Sequence, residues 1–201
     1  TQLIARRVRE SGVFCEIHPF DIITTQTIKR FNPIGVILSG GPASVNKDQT
    51  PRVPQELFEM GLPILGICYG QQVMVSQLGG EVSASKFREF GRATILIKRA
   101  CILFEDFWDI NETYSVWMSH GDKVNTLPNG FQVLATTESS PYAIIENHAK
   151  RFYATQFHPE VVHTINGSKL IRNFTHKICG ANGDWTMASF KEDSIANIRR
   201  Q

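Results

Sequence analysis

The chain has 201 residues, of which 42% are hydrophobic and 20% charged, and its formal net charge is +2. This length is enough for one domain with a full hydrophobic core, or for one domain with a short appendage. So small a net charge gives no basic field that would favour nucleic acid or a membrane surface. No apolar run approaches the ~20 residues of a membrane span. We therefore expect a globular, cytoplasmic protein that binds neither nucleic acid nor membrane.

The four cysteines are widely separated, and none belongs to a Cys-x-x-Cys pair. This usage is typical of a reducing cytosol and argues against a zinc site or a disulfide framework. We therefore expect no metal site in the chain. Three of the cysteines are interpreted as small packed hydrophobes: Cys15, Cys101 and Cys179.

The first third of the sequence alternates between helical and strand patterns. Helices are predicted at residues 1–10, 27–31, 54–60 and 69–78. Strands are predicted at residues 13–17, 35–39 and 64–68. The last two strands are continuous apolar runs, which is typical of strands buried on both faces. This alternation predicts a parallel sheet that is covered by helices on both faces.

The rest of the sequence contains more strands and fewer helices. Strands are predicted at residues 93–97, 114–118, 132–135, 143–146 and 151–157. A helix capped by Ser168 follows and ends at Gly180, and residues 181–201 contain a turn and a final helical pattern. We therefore expect an α/β fold: an open, mostly parallel mixed sheet, with antiparallel additions, between two layers of helices.

A cysteine lies on the sharp turn between the predicted strand at 64–68 and the helix that follows it. In the run Gly66-Ile67-Cys68-Tyr69-Gly70, glycines two residues before and after Cys68 allow the backbone to turn tightly. The amides and the dipole of the following helix would favour the thiolate form of Cys68. The pattern predicts a nucleophile elbow with sulfur in place of oxygen. The alternative is a buried structural cysteine at the end of a strand.

His158 and Glu160 follow the predicted strand at 151–157. A residue before proline is biased towards extended backbone, in which the side chains of residues i and i+2 point to the same side. Glu160 can therefore orient His158 and favour its charged form, as a base for a thiol nucleophile requires. Because sites in open parallel sheets lie at the carboxyl ends of strands, we expect Cys68, His158 and Glu160 to meet there.

Acyl transfer also needs hydrogen-bond donors for the oxyanion. We predict the backbone amides of Tyr69, which follows the nucleophile, and of Gly41, in the loop after the neighbouring strand. Taken alone, the run Ser119-His120-Gly121-Asp122 is compatible with a capped turn or with a second triad. A cluster of three arginines near the start is interpreted as a solvated helix face: Arg6, Arg7 and Arg9.

Together these motifs resemble the class I (triad) glutamine amidotransferase domains. The three matching motifs occur in the family's order: Leu38-Ser39-Gly40-Gly41-Pro42, Gly66-Ile67-Cys68-Tyr69-Gly70-Gln71-Gln72 and Gln156-Phe157-His158-Pro159-Glu160. Five further stretches resemble the branch of the family found in glutamine-hydrolysing GMP synthases: residues 1–10, 89–91, 116–122, 167–168 and 185–186.

The resemblance implies a flavodoxin-like fold and a role for each motif residue. Cys68 would attack the carboxamide of L-glutamine, His158 would shuttle protons, and Glu160 would orient His158. Four residues would help to hold the α-amino and α-carboxylate groups of the substrate: Gln72, Ser119, Gly121 and Asp122.

The resemblance also implies partners outside this sequence. Residues 1–180 would form the glutaminase domain, and residues 181–201 a linker to a synthetase (ATP-pyrophosphatase) domain of the same protein. That second domain would bind ATP and Mg²⁺, activate XMP and use the ammonia to give GMP, so the present chain needs no cofactor. A further strand would precede Thr1, and a homodimer would form through the part outside this sequence.

Three other interpretations stay open. The chain could be the glutaminase subunit for another acceptor, such as that of anthranilate or carbamoyl phosphate synthesis, although the run at 117–122 and Trp185 argue against this. It could be a cysteine hydrolase that acts on γ-glutamyl substrates without a partner. It could also be a non-catalytic docking module, which the intact Cys68, His158 and Glu160 disfavour.

Overall fold

The computed structural model describes residues 1–47 and 49–186, without the side chains of residues 85–88. Its strands are β1 (Val36–Leu38), β2 (Ile64–Ile67), β3 (Glu81–Ile97), β4 (Thr113–Thr126), β5 (Gln132–Thr136), β6 (Ile144–Asn147) and β7 (Phe152–Thr155). Its α-helices are α1 (Gln2–Glu10), α2 (Thr25–Phe31), α3 (Tyr69–Gln77) and α4 (Gly167–Asn173). A 3-10 helix covers Gln55–Glu59, and a π-helical turn at Phe174–Ile178 extends α4.

The strands form one seven-stranded sheet in the order β1-β2-β7-β6-β5-β3-β4. Strand β2 lies between β1 and β7 and is parallel to both, whereas the other four pairs are antiparallel. The predicted α/β class with a mixed sheet is confirmed. The expectation that the sheet is mostly parallel is wrong for the described residues, because only two of the six strand pairs are parallel.

Helices cover both faces of the sheet, as the alternation of buried side chains requires. In β2, Leu65 and Ile67 pack on one side with residues of α1 and α4, and Ile64 packs on the other side with residues of α2 and α3. Strand β7 follows the same alternation, with Tyr153 on the first side and Phe152 on the second. The parallel strands are therefore fixed from both faces, which gives the loops at their ends a rigid base.

The strand predicted at residues 13–17 does not form. Strand backbone needs a neighbouring ladder for its N–H and C=O groups, and in the described part of the chain no strand pairs with this segment. Contacts with α1 hold it instead: Arg9 donates to the carbonyl of Cys15 at 2.8 Å, and the Cys15 thiol donates to the carbonyl of Ala5 at 3.5 Å. The segment, α1 and β1 line a groove of about 1490 Å³.

Two other elements differ from the prediction. Strands β3 and β4 form a long hairpin, so Ser119 to Asp122 belong to a strand and not to a turn. Helix α4 begins after Asn166, whose left-handed backbone (φ 58°) provides the N-cap in place of Ser168. No helix in the described ranges is long and apolar enough to cross a membrane.

The predicted linker is described only as far as Thr186. Its first residues fold back on the domain, because the backbone N–H of Trp185 donates to the carbonyl of Gly12 at 2.9 Å. The ring of Trp185 also lies 6.1 Å from that of Phe14, measured between ring centroids. The helical pattern around Ile195 and Ile198 lies outside the described residues.

Candidate active site

The candidate site lies where the three parallel strands end side by side. Strand β1 leads into the loop of Gly40 and Gly41, β2 leads into Cys68, and β7 leads into the loop of His158 and Glu160. A Cβ atom built on Gly40 would lie 2.9 Å from Cε1 of His158 and 3.6 Å from Cβ of Cys68. The three loops therefore meet at this edge of the sheet.

Cys68 occupies a strained turn. Its backbone has φ 53° and ψ −105°, a combination that costs a non-glycine residue about 1–3 kcal/mol and is found mostly at functional sites. Its N–H donates to the carbonyl of Thr155 in β7 at 2.7 Å, and its own carbonyl accepts the N–H of Gln71 in α3 at 3.0 Å. These bonds join the end of β2 to its neighbouring strand and to the following helix, and they hold Cys68 in this conformation.

The two glycines of the turn are required by close backbone contacts. A Cβ on Gly66 would lie 2.8 Å from the carbonyl oxygen of Gly70, and one on Gly70 would overlap the carbonyl of Leu38 in β1. Helix α3 therefore begins tightly against the ends of β1 and β2. This contact brings the first amides of the helix close to the nucleophile.

His158 and Glu160 form a partly buried ion pair beside Cys68. Nδ1 of His158 lies 2.8 Å from Oε1 of Glu160, and the Glu160 side chain is only 8% exposed. Burial alone would lower the pKa of His158, but hydrogen bonds with Cys68 and Glu160 outweigh it and raise that pKa to about 10. The raised pKa favours the protonated imidazole, which is the form that can donate a proton to a leaving group.

Backbone and side-chain contacts from distant elements hold this pair. The N–H of His158 donates to the carbonyl of Trp117 in β4 at 2.9 Å, and the hydroxyl of Thr164 donates to the carbonyl of His158 at 2.6 Å. The guanidinium of Arg7 in α1 donates to the carbonyl of Glu160 at 3.0 Å. The expectation that Arg7 belongs to a solvated face is therefore wrong, since its side chain is only 20% exposed, although Arg6 is 72% exposed.

The run from Ser119 to Asp122 forms the opposite wall of the site. The thiol of Cys68 donates to the carbonyl of Ser119 at 3.4 Å, and the amide of Gln72 donates to the carbonyl of Asp122 at 3.0 Å. The carboxylate oxygen Oδ2 of Asp122 is buried and has no hydrogen-bond partner among the described residues. A buried, unpartnered carboxylate oxygen is costly unless a ligand supplies a donor.

The two residues predicted as oxyanion donors, Tyr69 and Gly41, lie next to each other. Tyr69 is the first residue of α3, where a helix leaves its backbone N–H without an intrahelical partner. Its hydroxyl donates to the carbonyl of Pro51 at 2.8 Å, which fixes the ring against the loop that follows β1. A Cβ on Gly41 would lie 3.9 Å from this ring, so the Gly41 backbone passes directly beside Tyr69.

The other described polar groups do not form a comparable site. Burial raises the pKa of Cys15, of Cys101 and of Cys179, the last to about 12, which makes these thiols poor nucleophiles. Among the described residues, no three His, Cys, Asp or Glu side chains come together as metal ligands would.

Sequence reasoning missed two residues that support the site: Arg7 and Thr164. Arg7 lies in a stretch that carried the resemblance, and this was the only signal that could have identified it. Thr164 had no such signal, because its contacts with β4 and with His158 arise only in the folded chain.

Comparison with known proteins agrees with this geometry. The family model of class I glutamine amidotransferases matches residues 1–178. The chain belongs to this family. Glutamine-hydrolysing GMP synthase of Agrobacterium fabrum is 55% identical over 201 residues, which are all of this chain and 38% of that protein. The amidotransferase chain thus spans little more than a third of the relatives that it matches.

Solved structures show the same fold. A Thermoplasma acidophilum protein described as a candidate component of GMP synthase is 29% identical and superimposes with a TM-score of 0.78, over 96% of this chain and 90% of that one. A glutamine amidotransferase from Thermotoga maritima, 20% identical, superimposes with a TM-score of 0.60 over 73% of this chain and 79% of that one. This second likeness supports the fold alone.

Proposed function

We propose that this amidotransferase domain hydrolyses L-glutamine to glutamate and ammonia through Cys68, His158 and Glu160. The observation that carries the proposal is the meeting of a strained cysteine with a partly buried histidine–glutamate pair at the ends of adjacent parallel strands. Family membership and the relatives named as glutamine-hydrolysing GMP synthases support the choice of substrate.

The chemistry proceeds through a thioester. With the proton of its thiol transferred to His158, the Cys68 sulfur attacks the carboxamide carbon of glutamine, and the carbonyl oxygen becomes an oxyanion that accepts hydrogen bonds from the amides of Tyr69 and Gly41. His158 then donates its proton to the departing nitrogen, the C–N bond breaks and ammonia leaves. His158 next takes a proton from water, whose oxygen attacks the thioester carbon. The C–S bond breaks, glutamate leaves and the Cys68–His158 pair is restored.

The wall opposite Cys68 is suited to the amino-acid end of the substrate. The buried carboxylate oxygen of Asp122 would accept a hydrogen bond from the α-ammonium group, and Gln72 fixes the Asp122 backbone. Ser119 and Gly121 lie on the same stretch of β4 and would contribute backbone contacts to the α-carboxylate. Together these groups would place the carboxamide next to the Cys68 sulfur.

The ammonia is used elsewhere in the same protein. Residues 1–180 form the glutaminase domain, and residues 181–201 lead to a synthetase domain that binds ATP and Mg²⁺ and aminates XMP to GMP. The described residues of this chain bring together no set of metal ligands, so we place no step of the ATP chemistry on them.

Glutamate release by the full-length protein tests the proposal. We would measure it with and without XMP and ATP–Mg²⁺, for the wild type and for Cys68→Ala. We expect a rate that rises when XMP and ATP–Mg²⁺ are added and that vanishes in Cys68→Ala. A rate that depends on Cys68 but does not change with XMP would support the glutaminase activity and contradict XMP as the acceptor of the ammonia. A rate that survives Cys68→Ala would overturn the mechanism.

A further inference from the structure

His120 lies at the point where β4 forms the wall of the site. Its neighbour Ser119 accepts a hydrogen bond from the Cys68 thiol at 3.4 Å, and Asp122, two residues further on, accepts one from Gln72 at 3.0 Å. His120 itself is 5% exposed and does not belong to the Cys68–His158–Glu160 group. A buried histidine so close to a site needs an explanation of its own.

Both ring nitrogens of His120 face oxygen atoms. Nδ1 lies 2.9 Å from the backbone carbonyl of Asp122, which can only accept, so this nitrogen carries a proton. Nε2 lies 2.8 Å from the carboxylate of Glu89, which stands directly opposite His120 in the β3–β4 ladder. The Nε2 contact has the distance of an ion pair but not the direction of a hydrogen bond.

The β3–β4 ladder is interrupted at this place. Ala84 pairs with Asp122 and Glu89 pairs with His120, so four residues of β3 stand opposite the single residue Gly121 of β4. At this irregular point of the ladder two side chains hold the Asp122 carbonyl, which receives one hydrogen bond from Gln72 and a second from His120.

Glu89 is itself held in place. It accepts a hydrogen bond from the hydroxyl of Ser139, and its side chain is 19% exposed. The Glu89 carboxylate thus contacts Nε2 of the imidazole, while Nδ1 on the other side of the ring holds the Asp122 carbonyl. The chain of contacts runs from Ser139 through Glu89 and His120 to the backbone of Asp122, whose buried carboxylate oxygen Oδ2 has no hydrogen-bond partner among the described residues.

We infer that His120 is a positioning residue for glutamine, which it aligns by fixing the Asp122 backbone through Nδ1 while Glu89 holds the ring through Nε2. This inference rests on the proposed function, because Asp122 matters only if this wall binds the substrate. His120 touches neither the reacting carboxamide nor the Cys68–His158–Glu160 group, so its loss should weaken substrate binding more than the chemical step.

Two substitutions separate the two sides of the ring. In His120→Asn the amide nitrogen takes the place of Nδ1 and keeps the donor to Asp122. In His120→Gln the amide nitrogen takes the place of Nε2 and keeps the contact with Glu89 alone. The same full-length protein offers a matched control in His176, whose ring nitrogens also lie 2.9 Å from two backbone oxygens, those of Ala181 and Ser11, away from the site.

The experiment measures KM for glutamine and kcat of glutamate release, with XMP and ATP–Mg²⁺ present. We expect His120→Gln to raise KM by about 10-fold, the value of one lost hydrogen bond, with kcat within about 3-fold. We expect KM of His120→Asn to rise by about 3-fold, because its amide keeps the donor to Asp122 but loses the contact with Glu89, and KM of His176→Asn to stay at the wild-type value. Glu89→Gln, which keeps its shape but loses its charge, should likewise raise KM by about 3-fold, because Nδ1 of His120 still donates to Asp122.

Two further readouts make the outcomes distinct. The rate at which iodoacetamide alkylates Cys68 should stay unchanged in all four variants, because the nucleophile is not altered. Equal KM values for His120→Asn and His120→Gln, or a loss in kcat and alkylation instead of KM, would overturn the inference alone. If His120→Gln does not fold, an unchanged KM in Glu89→Gln overturns it. A wild type without Cys68-dependent glutamate release would overturn the proposed function, and the inference with it.

Discussion

His158 keeps its proton because acceptor groups lie on both sides of its ring. Burial by itself would lower the pKa of this histidine, and the hydrogen bonds with Cys68 and Glu160 raise it to about 10. We therefore expect an NMR titration of the His158 ring to show a midpoint near 10 in the wild type. The midpoint should be lower in Cys68→Ala, which removes one acceptor, and in Glu160→Gln, which removes the negative charge of the other.

The same shift makes stability depend on pH. The folded-state pKa of His158 lies above the ordinary value of 6.5, so its contribution to the free energy of unfolding is complete below pH 6.5 and is lost as the pH rises towards 10. Urea unfolding of the wild type should therefore show a loss over this range that is smaller in Cys68→Ala. Identical pH profiles for the two proteins would contradict the coupling between Cys68 and His158.

Glu160 should affect the chemical step far more than substrate binding. Its carboxylate lies 2.8 Å from Nδ1 of His158 and, in the proposed mechanism, does not contact glutamine. We expect Glu160→Gln to lower kcat by about 10²- to 10⁴-fold with little change in KM, as in other triads where the orienting acid is removed. Steady-state kinetics of the full-length protein measure this, and a change mainly in KM would argue against an orienting role.

At the scale of elements, the contact between α3 and the end of β1 leaves no room for a side chain at Gly70. Alanine is normally better than glycine within a helix by about 1 kcal/mol, but a Cβ on Gly70 would overlap the carbonyl of Leu38. We expect Gly70→Ala to lower the free energy of unfolding by about 3 kcal/mol. Denaturant unfolding measures it, with Gly41→Ala as the stability control, because the nearest atom to its Cβ lies 3.9 Å away.

One hydroxyl reinforces the connection between β4 and the loop after β7. Thr164 donates to the carbonyl of His158 at 2.6 Å and accepts the N–H of Trp117 at 3.0 Å. Thr164→Val keeps the shape but leaves both buried backbone groups unpaired, which should cost about 1–3 kcal/mol of stability. It should also lower kcat, since His158 loses one of its supports. Thr164→Ser keeps the hydroxyl, and equal losses in both variants would contradict this explanation.

The elements that the sequence predicts well are those whose local pattern decides their structure. Strands β2 and β7 are buried throughout and β1 is partly buried, so each reads as an apolar run, and the glycines around Cys68 mark the elbow. The segment at 13–17 has a strand pattern, but a strand also needs a partner, which no local pattern reports. The sequence predicts only part of the hairpin of β3 and β4. Its outer part is only partly buried, so the hydrophobic alternation that marks a strand is weak there.

The site shows the same division. Cys68, His158 and Glu160 could be predicted from short motifs because each lies directly after a buried strand. The contact of Arg7 with the Glu160 carbonyl spans 153 residues of sequence, and the pairing of Glu89 with His120 depends on the register of an interrupted ladder. Such contacts follow from the packed fold and not from a local pattern.

At the scale of the whole molecule, the chain accounts for 38% of the length of its Agrobacterium relative. In our proposal the remainder consumes the ammonia that this domain releases. The proposal therefore predicts a difference between two nitrogen sources. Amination with ammonia supplied as a salt does not require Cys68, whereas amination with glutamine does.

The most direct measurement is GMP formation from XMP and ATP–Mg²⁺ by full-length Cys68→Ala, with glutamine or with ammonium chloride as the nitrogen source. We predict that the variant forms GMP from ammonium chloride at the rate of the wild type and forms none from glutamine. Glutamine-dependent GMP formation that persists without the Cys68 sulfur would contradict the central claim that this domain releases ammonia through that residue.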